Sequence, residues 1–156
     1  MTEIVPNQVH QLAATKLAAV SQRYTANRRC VVDVLLNLPG PATIGEVLEA
    51  GDSLAQSSTY RNLVILEDVG VVHRIVTSDD HARFELTEEV TGHHHHHLIC
   101  ESCGRIIDVT LEATVEHALE QALARGAAAN GFVGLHHRVD LIGLCADCQA
   151  AVPVEA

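Results

Sequence analysis

Aromatic residues are nearly missing from this 156-residue chain: two Phe, two Tyr and no Trp, 3% in all. A core of packed rings is therefore excluded. Leu, Val, Ile and Ala must fill the interior that a 47% hydrophobic composition can supply. No apolar run approaches the ~18 residues of a membrane span. Met1–Pro6 lacks the basic-then-apolar order of a secretory signal, so a cytoplasmic location with no membrane partner is the expectation. Internal repeats are also lacking, and the length suits one ordinary domain or two small ones. Basic residues are scarce, ten Lys and Arg against 20 Asp and Glu, which argues against nucleic acid as a partner.

The distribution of charge weakens that last argument. Residues 1–78 hold six Lys/Arg and seven Asp/Glu, and residues 79–156 hold four and thirteen. The acid thus sits in the second half. Lys16, Arg23, Arg28, Arg29 and Arg61 are available for a basic patch on the first.

The second half is organised around His93–Gly104, five histidines that lead through Leu98-Ile99 into Cys100-Glu-Ser-Cys103. A matching pair, Cys145-Ala-Asp-Cys148, follows 41 residues later. His and Cys are the usual transition-metal ligands. Expression tags sit at termini and this run is internal, so it reads as part of the protein. In a reducing compartment two Cys-x-x-Cys pairs point to metal rather than disulfides. Cys100, Cys103, Cys145 and Cys148 make a closed four-thiolate set, the form of a structural zinc. Side chains of a strand alternate faces. His93, His95 and His97 then point one way and His94 and His96 the other, so one run can feed two metal sites. The fifth cysteine, Cys30, falls in an apolar helical series and reads as a buried, inert thiol.

Residues 7–22 read as a first helix. Thr25 caps a second, reaching about Leu38, where Pro39-Gly40-Pro41 stops it. Thr43 caps a short third helix ending near Ala50-Gly51. In Leu54–Gly70, Thr59, Leu63 and Leu66 share one helical face. Ser57, Arg61 and Val64 lie opposite, with Tyr60 at the flank, a set suited to phosphate and base-edge contacts. Strand-like runs follow at Val71–Thr77 and Ala82–Leu86. This order of elements is that of a winged helix, a fold that seats one helix in the major groove. Thr87–Gly92 reads as a hinge. Beyond it come a strand over Arg105–Val109, a helix over Leu111–Arg125 closed by Gly126, and a strand within Gly131–Cys145. The predicted class is α+β. A winged-helix unit spans 1–86, a hinge 87–92, and a small metal-binding α/β unit 93–156, too small to be comfortable without zinc. His10, His81 and His136 read as ordinary surface residues.

These features resemble the Fur family of bacterial metal-dependent transcriptional regulators. The resemblance rests on Tyr24-Thr25-x-x-Arg28, Ser58-Thr59-Tyr60-Arg61, Arg83-Phe84-Glu85-Leu86, His93–Cys103 and Cys145-x-x-Cys148. The family helix usually reads Thr-Thr-Val-Tyr-Arg where this chain has Ser57-Ser58-Thr59-Tyr60-Arg61. The resemblance implies a homodimer formed by the second halves and a double-stranded, palindromic DNA operator. It implies DNA contacts at Arg28, Ser57, Tyr60 and Arg61. It further implies a regulatory site at His73, Glu85, His95 and His97, holding zinc or iron(II), and an additional site at His94, His96, Glu116 and His137.

Three other readings compete. A zinc metalloenzyme keeps an open metal position, but the chain has neither His-Glu-x-x-His nor a zinc-deaminase pattern. A metal store would use the His tract alone. A peroxide sensor of the same family usually has Asp where this chain has Glu85.

Overall fold

The computed structural model describes residues 6–134 and 136–151; the expectations on the first five residues and on the tail after Ala151 lie outside them. The chain opens with α1 (Pro6–Ala19) and α2 (Ala26–Asn37). Thr25 caps α2 as expected, its side chain accepting from the Arg28 amide. A two-residue strand, β1 (Ala42–Thr43), precedes α3 (Ile44–Ala50). Thr43 and Glu46 form a full capping box there. Next comes α4 (Gln56–Asp68), followed by Gly70 at φ +68°, a left-handed turn that glycine adopts without strain. β2 (Val72–Val76) and β3 (Ala82–Leu86) form the hairpin, and β1 adds to it in the order β1-β3-β2. Thr59, Leu63 and Leu66 of α4 are fully buried, while Ser57, Tyr60 and Arg61 are exposed. This is a winged helix.

The expected hinge holds a single helical turn, α5 (Glu88–Thr91). β4 (His96–Cys100) and β5 (Ile106–Val109) then form a second hairpin. α6 (Ala113–Ala129), β6 (Asp140–Gly143) and α7 (Ala146–Ala151) complete the order. β6 pairs parallel to β4, giving a sheet β5-β4-β6. The expected helix end at Gly126 is wrong. A glycine inside a helix costs only about 1 kcal/mol, and the three alanines after it continue the helix. The stop comes at Gly131, where Gly131 N donates to Ala128 O and Phe132 N to Ala127 O, a Schellman closure.

The buried apolar cluster runs from Val9 to Val90 and lies wholly in the first half. Cys100 is the one buried apolar residue beyond it among the described residues. Ten of the fourteen exposed large hydrophobics fall at or after Leu98, and α6 buries none of its residues. The second half therefore lacks a core of its own size and presents an apolar surface for a partner. No helix among the described residues is long and apolar enough to cross a membrane.

Three expectations about exposure change. His10 is only 5% exposed, with Nδ1 2.7 Å from the Tyr24 hydroxyl and Nε2 2.9 Å from Asp33 Oδ1, which ties α1 to α2. Burial is the leading reason that the Tyr24 hydroxyl is pushed up to about 12. Cys30 is half-buried beside Ser53 rather than in the core. Lys16 leaves the basic patch, paired with Glu89 at 2.6 Å.

Candidate metal centres and DNA-facing helix

The four cysteines converge from the β4–β5 turn and from the start of α7, their sulfurs within 4.8 Å of one another. Cys103 Sγ and Cys145 Sγ stand 3.8 Å apart. Two sulfurs of a tetrahedral zinc with Zn–S of ~2.3 Å are separated by about the same distance. The Cys145 amide donates to Cys100 Sγ at 3.3 Å. That amide and those of Cys103 and Ser102 bring the Cys100 thiol down to about 6, which favours the thiolate a metal needs.

The histidine run divides as alternation requires, although only His96 and His97 are in the strand. His94 and His96 join Glu116 and His137; His95 and His97 join Glu85 and Asp108, each set within 4.8 Å. In the first set one carboxylate receives three imidazoles. His96 Nε2 lies 2.8 Å from Glu116 Oε2, and His137 Nε2 and His94 Nε2 lie 2.9 and 3.2 Å from Oε1. Glu116 Oε1, His94 Nε2 and His137 Nε2 are buried, yet none meets a partner in hydrogen-bond geometry. Buried polar atoms that converge without bonding one another fit a shared cation.

The second set follows from strand register. His97 sits on β4 between Asp108 of β5 and Asp140 of β6, its cross-strand partners on either side. Glu85 reaches across from the winged-helix sheet, its Oε2 3.1 Å from His95 Nε2 and 3.2 Å from His97 Nε2. Asp108 Oδ1 completes the group 3.9 Å from His97 Nε2. Burial works to raise the Glu85 carboxyl, but the hydrogen bonds from His95 and His97 prevail and bring it down to about 2. The same bond lifts His95 to about 9. His97 is also raised, its burial outweighed by Glu85 and Asp140. A bound cation would take the place of these protons.

His73 does not join this set, and Asp108 stands in it instead. His73 lies opposite Glu85 in the hairpin register, but its Nδ1 is 3.1 Å from Arg138 Nη1. A guanidinium only donates, so that nitrogen accepts and the ring is neutral. Burial and the Arg138 charge both lower its affinity for a proton.

Asp140, which the sequence did not single out, accepts at 3.1 Å from His97 Nδ1. That bond fixes the ring and, once a cation replaces the proton that Nε2 shares with Glu85, leaves the Nε2 lone pair to the metal. Asp140→Ala is expected to weaken metal binding at this set about 10- to 100-fold, the range for lost outer partners of metal-ligating histidines. Competition against a metal-sensitive dye measures it, and unchanged affinity would refute the role.

Of the residues expected on DNA, Ser57, Tyr60 and Arg61 lie on the open face of α4. Arg28 does not. It is 7% exposed, with Nη1 donating to the Arg23 carbonyl and Nη2 to Gln22 Oε1 at 3.0 Å. Its guanidinium ties the α1–α2 loop to α2 and is not available to a phosphate. Of the five basic residues named for a patch, Arg23, Arg29 and Arg61 remain exposed and, among the described residues, unpaired with an acid.

The fold and these donor sets define a metal-binding winged-helix protein. The chain belongs to the Ferric uptake regulator family, whose model matches residues 19–142. Among curated relatives, the peroxide-responsive repressor PerR of Staphylococcus saprophyticus is 29% identical, over 90% of this chain and 93% of that one. Among solved structures, the ferric uptake regulator of Helicobacter pylori superposes with a TM-score of 0.72 at 21% identity over the full length of both chains. That of Vibrio cholerae gives 0.62 at 25% identity, over 84% of this chain and 98% of that chain.

Proposed function

We infer that this chain is a metal-responsive transcriptional repressor, a homodimer that grips a palindromic operator with α4 of each copy. The observation that carries the reading is the Glu85–His95–His97–Asp108 set. Glu85 belongs to the winged-helix sheet, His97 and Asp108 to the second sheet, and His95 to the segment that leads into β4. A cation held there would bind one arrangement of the two sheets more tightly than any other, and so shift the population toward it. The apolar surface of the second half supports dimerisation through residues 93–156, with residues 1–86 presented to DNA and 87–92 between them. A DNA target supports a cytoplasmic location. Each donor set has four protein ligands, the closed form rather than the open three-ligand form of a catalytic zinc, which supports a regulator over an enzyme.

Cys100, Cys103, Cys145 and Cys148 are assigned to structural zinc. Two carboxylates and two imidazoles without a thiolate make a harder regulatory set than three imidazoles and one carboxylate. That shift favours iron(II) or manganese(II) alongside zinc. The test is operator affinity against buffered free zinc, iron(II) and manganese(II), with a duplex selected from random DNA by the metal-loaded protein. Equal affinity with and without every metal, in protein that retains its thiolate zinc, would end the reading.

The 29% identity to a peroxide-responsive repressor supports a second reading, an iron(II) peroxide sensor, with Glu85 standing where such a sensor usually has Asp. Peroxide would then release DNA from iron-loaded protein and leave the manganese-loaded form bound.

Two arginines should part in the DNA assay. Arg61→Ala is expected to lose operator binding while dimer and metals remain. Arg28→Ala is expected to destabilise the fold by about 1–3 kcal/mol, through its lost hydrogen bonds, with the salt dependence of DNA binding unchanged. Urea denaturation and salt-dependent gel shifts separate the two, and an Arg28→Ala variant of full stability but flattened salt slope would reverse the assignment.

A further inference from the structure

The β2–β3 hairpin meets the second half at both of its ends, and at one of them stand the metal set and the His73–Arg138 bond beside it. At the opposite end of the hairpin, the turn at Ser78 and Asp79 lies on the Cys100–Gly104 knuckle. Ser78 Oγ donates to the Glu101 carbonyl. The Asp79 carboxylate lies over Gly104, which is buried and has φ +69°. A Cβ on Gly104 would stand 2.8 Å from Asp79 Oδ1, so only glycine leaves room for this approach. Asp79 is itself fixed. Arg83 Nη1 and Nη2 donate to its two oxygens at 3.1 and 2.8 Å, and the His81 amide adds a third bond at 3.2 Å. Glu101 and Gly104 belong to the turn that carries Cys100 and Cys103, and the Gly104 amide closes that turn onto the Cys100 carbonyl at 2.9 Å.

We propose that Ser78, Asp79 and Gly104 form a latch that positions Glu85 for the regulatory metal. One attachment leaves a hairpin free to pivot; two at opposite ends fix its orientation. Asp79 lies in the hairpin turn and Glu85 near the far end of β3, so the latch acts at a distance from the metal it serves. With the latch closed, Glu85 faces His95 and His97 before any metal arrives. The apparent metal affinity is then not reduced by the fraction of molecules in an open arrangement. The thiolate knuckle and the regulatory set share no ligand, yet the hairpin couples them, because the knuckle supplies the surface on which the latch closes.

This inference rests on the regulatory reading of the Glu85 set, and the experiment separates the two. Full-length dimer with its thiolate zinc is titrated with buffered manganese(II) and, separately, zinc(II), while operator binding is followed. Ser78→Ala is expected to raise the free metal at half-maximal binding about three- to tenfold, the worth of one hydrogen bond. Ser78→Ala with Asp79→Ala should raise it further. Operator affinity at saturating metal stays within about twofold of wild type, since the closed arrangement is the same, and zinc per protomer is unchanged. Ser78→Thr, which restores the hydroxyl, returns the midpoint to the wild-type value. Unchanged midpoints in both variants, a shift that Ser78→Thr fails to reverse, or a shift that accompanies loss of zinc overturns the latch. A wild-type protein whose operator binding ignores both metals overturns the regulatory reading instead, before any variant is compared.

Discussion

Replacing Cys145 by Ser will remove the zinc and, with it, the dimer. The thiolates join the β4–β5 turn to the chain that follows β6, and the second half has little else to hold it. Its sheet is three short strands with one buried apolar residue, Cys100. For such a unit metal-binding energy is folding energy, about 10–16 kcal/mol for structural zinc in small peptides. The first half has its own core from Val9 to Val90 and should stay folded. The expected result is therefore partial. Zinc falls from one per protomer to none, native mass spectrometry shows monomer, and proteolysis trims the chain back toward the α5 region. A zinc-free variant that persists as a dimer would disprove the assignment.

Glu85→Ala should abolish the metal response and spare everything else. Glu85 is the single member of its set that comes from the winged-helix sheet, so no other residue of the set can transmit binding to α4. Loss of a ligand should exceed the loss of an outer partner, so the metal dissociation constant is expected to rise about 100-fold or more. Operator binding should then stay at its metal-free level whatever metal is added. Zinc at the thiolates should be unaffected, and His94, His96, Glu116 and His137 should still bind a metal. Calorimetric metal titration beside the DNA assay checks both halves of the expectation. Retained metal control of DNA binding in this variant would move the switch to another set.

Much of this was legible in the sequence because it depends on local spacing. The Thr25 cap, the buried Thr59–Leu63–Leu66 face and the opposite-facing histidines are consequences of helix and strand periods. The misses depend on which strand or loop lies beside which. Nothing local marks Asp108, within the strand expected over Arg105–Val109, as a ligand. Yet the Cys100 amide bonds the Arg105 carbonyl, and a hairpin closed on that pair sets His97 opposite Asp108. Pairing the run with the strand after the knuckle would have found it. His73 was expected from position in a related pattern, and nothing local announces that Arg138, 65 residues on, bonds its ring. Arg28 was read as a surface cation because its partners, the Arg23 carbonyl and Gln22, belong to a loop whose path the sequence does not give. α6, expected as a helix over Leu111–Arg125, buries none of its residues in the single chain, and helical periodicity alone does not say what an apolar stripe packs against.

The placing of two donor sets on opposite sides of one histidine run has a consequence for the shape of the response. Neighbouring residues of a run share a backbone, so ordering it from one side orders it for the other. Any free energy that ligation at His94 and His96 contributes to ligation at His95 and His97 is returned in equal measure, because linkage is reciprocal. Two ions read through one strand then give a binding curve steeper than either would alone. A promoter under such control would be tuned less by average metal supply than by the crossing of a narrow threshold.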